Sequence, residues 1–125
     1  MTVPVGLDQL RAEAAKYDGT PYLLTVSDDG RPHPVSVLVR WQDNELKLFG
    51  GTRSRSNATA RPDVTLLWPA REDGGFCLII DGSASVDGEQ MTIRPVSAIL
   101  HRSHAASEDR PEGSECEHIL SPEPD

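Results

Sequence analysis

Aromatic residues are scarce in this chain, with two Trp, two Tyr and two Phe among 125 residues. Cysteine is scarcer in effect. Cys77 falls in an apolar run and Cys116 in a polar C-terminal stretch, so a structural disulfide is not expected. No apolar run reaches membrane-spanning length, and no signal-peptide pattern is seen. The expected location is therefore cytoplasmic, with no membrane partner. Basic charge is short as well: 12 Lys and Arg stand against 20 Asp and Glu, a net charge of −8. The excess acid sits in residues 104–125, where seven acids oppose only Arg110. Residues 1–103 are close to neutral. Without a basic footprint beyond one short cluster, nucleic acid is excluded as a partner.

What is present is organised as one domain, residues 1–103, followed by an acidic tail, residues 104–125. "GLDQLRAEAAKYDG" places Leu7, Leu10, Ala14 and Tyr17 at spacings of three and four, which predicts an amphipathic N-terminal helix ended by Gly19. Two apolar runs flank Asp29-Gly30, and a third follows Asp43-Asn44, as in β-hairpins. "SRSNATARP" suits one or two helical turns stopped before Pro62. "DVTLLWP" reads as a strand, and two long strands surround Asp87-Gly88, with Gly82 marking a bulge or bend. Six strands joined mainly by hairpins predict a mainly β (α+β) fold, a six-stranded antiparallel barrel. The tail, rich in Ser, Glu and Pro, is expected to be disordered.

The stretch "TRSRSN" crowds hydroxyls and arginines into the turn before a short helix. Arg53 and Arg55 can fork onto phosphate oxygens, Thr52, Ser54 and Ser56 offer hydroxyls, and a helix start offers unpaired N–H groups. A solvated loop whose arginines pair with nearby acids has the same composition. Residues alone leave both readings standing.

Taken in order, "LLTVSDDGRPHPVSVLVRW", a further strand and "TRSRSNATARPDVTLLWP" resemble the flavin-binding split-barrel family that includes pyridoxamine 5′-phosphate oxidase. Asn57 and Pro62 keep the five-residue spacing of that pattern, and the likeness runs over roughly residues 5–101. The resemblance implies a homodimer that binds FMN in a groove between subunits and acts as an oxidoreductase. It further implies that Thr52, Arg53, Ser54, Arg55 and Ser56 form the phosphate turn and that Asn57 also belongs to the cofactor site. Pro34, Val35, Ser36 and Val37 would face the ring, and Trp68 would reach it from the partner subunit. Ser54 stands where many relatives have lysine. The chain also lacks the C-terminal extension that carries substrate contacts in the oxidase itself, so oxidation of pyridoxamine phosphate is not expected. A deazaflavin is the alternative cofactor, and a carrier of flavin or haem without turnover is the alternative function.

Other residues have simpler readings. Trp41 and Trp68 suit a core or an interface as well as a ligand ring. His33 lies beside the proposed ring site, where a flavin protein needs no histidine catalyst. It is nonetheless the side chain there that changes charge near neutral pH. His101, His104, Cys116 and His118 form H-x-x-H and C-x-H pairs, but the polar, Pro-interrupted segment between them would not preorganise a metal site, and none is expected. No nucleophile elbow and no Walker-type loop is present.

Overall fold

A computed structural model describes residues 1–103 of the chain. The expected tail, and with it His104, Cys116 and His118, lies outside the described residues. In chain order the elements are β1 (Thr2–Val5), a 3-10 turn (Leu7–Gln9), α1 (Leu10–Ala14), β2 (Tyr22–Val26), β3 (Pro32–Ser36), β4 (Arg40–Gln42) and β5 (Glu45–Phe49). They continue with α2 (Thr52–Ala60), β6 (Asp63–Trp68), β7 (Cys77–Asp87) and β8 (Gln90–His101). All strand pairing is antiparallel, in the order β3-β2-β6-β7-β8-β5-β4, and β1 is added to β8. This is a split-barrel-like α+β fold.

Eight strands stand where six are expected, for two local reasons. β1 is only four residues long and contains Pro4, so it carries no alternation to read. Its partner in β8 is also remote, with Thr2 opposite His101. The second difference is a break in the apolar run after Gly30, which splits into β3 and β4 at Val37–Val39. α1 is likewise shorter than the periodic segment, because a 3-10 turn supplies its first part.

The hairpin signals lie where the turns form. Gly30 and Gly88 have positive φ, and Asp43 and Asn44 adopt φ of 52° and 68°, the double left-handed turn that joins β4 to β5. At Gly82 the β7–β8 register shifts, as expected of a bulge. A Cβ there would come within 2.7 Å of Ile93 Cγ2 and 2.8 Å of the Arg94 carbonyl oxygen, so the close strand approach requires glycine.

Alternate residues of each strand turn inward. Leu23, Leu46, Leu66, Leu78, Ile80, Met91 and Ile93 are fully buried and form an aliphatic core. Each such side chain contributes roughly 1.5–3 kcal/mol relative to an exposed one. The edge strands β3 and β4 are joined by three residues, a link of at most about 13–14 Å from strand end to strand end. The sheet must therefore curl until its edges approach each other, and α2 packs near the resulting opening against β2 and β7.

Candidate functional site

Along β3 the pleat sends His33 and Val35 to the inner, part-buried side and Pro32, Pro34 and Ser36 to the exposed side. Val37, just past the strand, is buried, and its N–H donates to the Pro21 carbonyl at 3.0 Å. The chain then presents Leu38 outward, and β5 ends in an equally prominent Phe49. These are the side chains that a curled edge leaves around an opening.

α2 begins at the same place. Its N-cap, Gly51, makes no side-chain capping bond, the first turn contains no acid, and the first intrahelical bond runs from Arg55 N–H to the Gly51 carbonyl. The N–H groups of Gly51, Thr52, Arg53 and Ser54 therefore have no helical partner, and the positive end of the helix is left uncapped.

A concavity of about 460 Å³ joins the two features. Val35, Ser36, Val37 and Leu38 form one wall, Phe49 closes one side, and Gly51, Arg53 and Ser54 supply the other, with His33 at the margin. Among the described residues, no carboxylate lines it. An apolar slot ending in one guanidinium and N–H groups without helical partners suits a flat molecule with an anionic substituent, and the volume falls within the ordinary range for ligand pockets.

The two arginines separate clearly. Arg55 turns back onto the protein: Nε donates to the Gly50 carbonyl at 2.9 Å, and the two terminal nitrogens donate to the Gly88 carbonyl and to Thr52 Oγ1, each at 3.3 Å. Arg53 lines the concavity and makes no side-chain hydrogen bond or ion pair among the described residues. A third arginine, Arg61, locks the far end of α2 to the first hairpin through the Val26 carbonyl and Asp28, both at 2.8 Å.

Asn57 sits inside the fold, where its Nδ2 donates to Thr25 Oγ1 at 3.0 Å and both residues are buried. Thr52 and Ser56 belong to α2 but not to the lining, and Pro34 is not part of it. Trp68 is buried in its own protomer and borders a different hollow with Trp41 and Tyr17. Of the residues named from sequence, Val35, Ser36, Val37, Arg53 and Ser54 thus share one concavity. Leu38, Phe49 and Gly51 join them without having been singled out. Their signal was available only in the strand ends, where an apolar residue follows the last inward position.

At the margin of the site, Asp29 is held below the usual carboxylate range, chiefly by the Ser27 hydroxyl and then by the Arg31 N–H. His33 Nδ1 is buried and has no hydrogen-bond partner among the described residues. Among those residues, no cluster of three or more His, Cys, Asp or Glu is placed to hold a metal ion, and no helix is long and apolar enough to cross a membrane.

Comparison with known proteins places this geometry in context. No family model matches the sequence. Uncharacterized proteins of Mycobacterium bovis and Mycobacterium tuberculosis are each 35% identical over 119 residues, covering 81% of this chain and 82% of theirs. Among solved structures, a Listeria innocua protein described as a candidate pyridoxamine 5′-phosphate oxidase superposes with a TM-score of 0.62 at 18% identity, covering 78% of this chain and 98% of that one. An F420 reductase gives a TM-score of 0.58 at 15% identity, covering 69% and 93%. A haem-binding protein of Mycobacterium smegmatis gives 0.61 at 12% identity, covering 82% of this chain and 57% of that one. At these identities the structural likeness establishes the fold.

Proposed function

Since this chain belongs to the family of those mycobacterial proteins and has the split-barrel fold of the pyridoxamine 5′-phosphate oxidase-like proteins, we propose that it binds a flavin-type cofactor and serves as an oxidoreductase. One observation carries the reading. The concavity joins the start of α2, which has no side-chain cap among the described residues, and Arg53 to the apolar wall of Val35, Val37, Leu38 and Phe49.

The residues fit FMN. Arg53 and the N–H groups of Thr52, Arg53 and Ser54 would hold the phosphate, with the charge-assisted bonds needed to displace its water. Val35, Val37, Leu38 and Phe49 would flank the ring and exclude solvent from it. When bound, the cofactor supplies electron and hydride transfer, and the protein supplies position and environment. A deazaflavin is the second reading: its phosphodiester would use the same donors, and an F420 reductase is among the structural neighbours.

The site is proposed to be completed by a second copy of the chain. Leu38 is 77% exposed and Phe49 72% exposed, and both border the concavity. A homodimer that covers them would also close the groove over the ring.

The test is titration of purified apoprotein with FMN and with a deazaflavin, followed by fluorescence quenching. Saturable quenching by either at micromolar concentration or below is expected. No binding of either, or a Soret band in the protein as purified, would refute the flavin reading.

A further inference from the structure

His33 combines two properties that the proposed site does not otherwise use. It lies on the inner side of β3 in the same row as Val35 and borders the concavity together with Arg53 and Ser54. Its Nδ1 is covered by protein yet has no hydrogen-bond partner among the described residues. A covered polar nitrogen without a partner is unfavourable, and native structures normally provide one. The torsion that swings an imidazole about its Cβ–Cγ bond is broad, so the ring of a residue lining the concavity can turn to meet a bound partner.

The surroundings indicate what that nitrogen would meet. His33 pairs with Thr25 across the β2–β3 ladder, and the Thr25 hydroxyl already receives the Asn57 amide. Asn57 lies one helical turn beyond Arg53 and Ser54, so the chain places His33 beside the first turns of α2, the end that attracts anions. The charges nearby have other partners, although the Arg53 charge also acts on Asp29. On the hairpin, Asp28 pairs with Arg61 at 2.8 Å and Asp29 with Arg31 at 3.5 Å. On α2, Arg55 is bonded to backbone carbonyls. From β5 comes Phe49, which is uncharged. Among the described residues, Arg53 is the one Lys, Arg, Asp or Glu lining the concavity.

We infer that His33 is a second, protonation-dependent contact for the anionic group of the ligand, acting beside Arg53. The inference rests on the proposed binding of a phosphate-bearing cofactor. An imidazolium offers an N–H donor and a positive charge, whereas the neutral ring offers no charge. Affinity for the anion therefore rises as pH falls through the histidine range. By linkage, binding the anion draws a proton onto the protein.

The experiment compares FMN with riboflavin, which carries the same ring without the phosphate, in wild type and His33→Gln at pH 8.0 and 6.5. The phosphate's own second ionisation near pH 6 affects both proteins alike and cancels in the comparison. The gain in FMN affinity on acidification should be roughly five- to tenfold larger in wild type than in His33→Gln, with no such difference for riboflavin. Calorimetry of the wild type in two buffers at pH 7.5 gives a readout that needs no variant. There FMN should take up a larger fraction of a proton than riboflavin.

Equal acid gains in both proteins with no excess proton uptake would overturn the inference and leave the flavin reading intact. A pH effect on riboflavin as large as that on FMN would also overturn it, since His33 would then face the ring. If neither FMN nor riboflavin binds at either pH, the inference falls, while the flavin-type reading stands or falls on the deazaflavin titration.

Discussion

Arg53 and Arg55 are two positions apart on α2 and have separable tasks. Replacing Arg53 with Ala removes a charge-assisted contact to the proposed phosphate, worth about 1.5–3 kcal/mol, and should weaken FMN binding by roughly ten- to a hundredfold. The melting temperature should stay put, because Arg53 makes no side-chain hydrogen bond or ion pair among the described residues. Arg55→Ala should do the reverse: three bonds tying Gly50, Thr52 and Gly88 together are lost, and the melting temperature falls by several degrees. Calorimetric melts of the two variants beside FMN titrations separate these outcomes. If Arg55→Ala weakens binding more than Arg53→Ala, the assignment of the site to Arg53 is wrong. The sequence showed that hydroxyls and arginines gather here but not which guanidinium is free, since that depends on the Gly88 carbonyl, 33 positions away. Asn57 makes the same point from the other side. The resemblance implied a cofactor role for it, and within the fold its amide also donates to the buried Thr25 hydroxyl. Asn57→Ala should therefore cost about 1–3 kcal/mol of stability, measured by urea unfolding.

Among the elements, the long hairpin of β7 and β8 depends on Gly82. An alanine Cβ there meets Ile93 and the Arg94 carbonyl at distances no real methyl group tolerates. Overpacking of this kind costs about 1–3 kcal/mol, and in a domain of this size that lowers the melting temperature by roughly 4–20 °C. A Gly82→Ala protein with unchanged stability would show that the bulge relaxes freely. The segment after α1 is anchored by the Tyr17 hydroxyl, which donates to the Phe76 carbonyl at 3.0 Å. Burial, followed by the Glu13 charge, pushes this phenol above its ordinary value. The neutral phenol is thus the form the fold favours. Its contribution is complete below the unfolded tyrosine pKa near 10 and is lost as pH rises through the higher folded value. Tyr17→Phe should flatten that part of an alkaline stability profile. Turn chemistry is why these strands were readable: Asp29-Gly30, Asp43-Asn44 and Asp87-Gly88 announce left-handed backbone locally. β1 announces nothing, because what makes Thr2–Val5 a strand is the free edge of β8.

For the molecule as a whole, the exposed pair Leu38 and Phe49 predicts self-association. Sedimentation velocity at micromolar concentration should give a dimer, and Leu38→Glu with Phe49→Lys should shift it towards monomer while lowering FMN affinity. A monomeric wild type would leave the groove without its proposed cover. One further consequence follows from β8, whose one edge pairs with β7 along its length while its other edge receives β5 at one end and β1 at the other. During synthesis β1 is made first and β8 last among the described strands, so the opening residues must wait for nearly the whole body before they find a partner. Closing so wide a loop is entropically slow, and sheets dominated by distant pairings fold in roughly milliseconds to seconds. The unpaired backbone of β5 and β1 is meanwhile available to other chains. Expression yield should therefore track how quickly Gln90–His101 is delivered. Slowing translation just before that strand should raise aggregation without altering the stability of the finished protein.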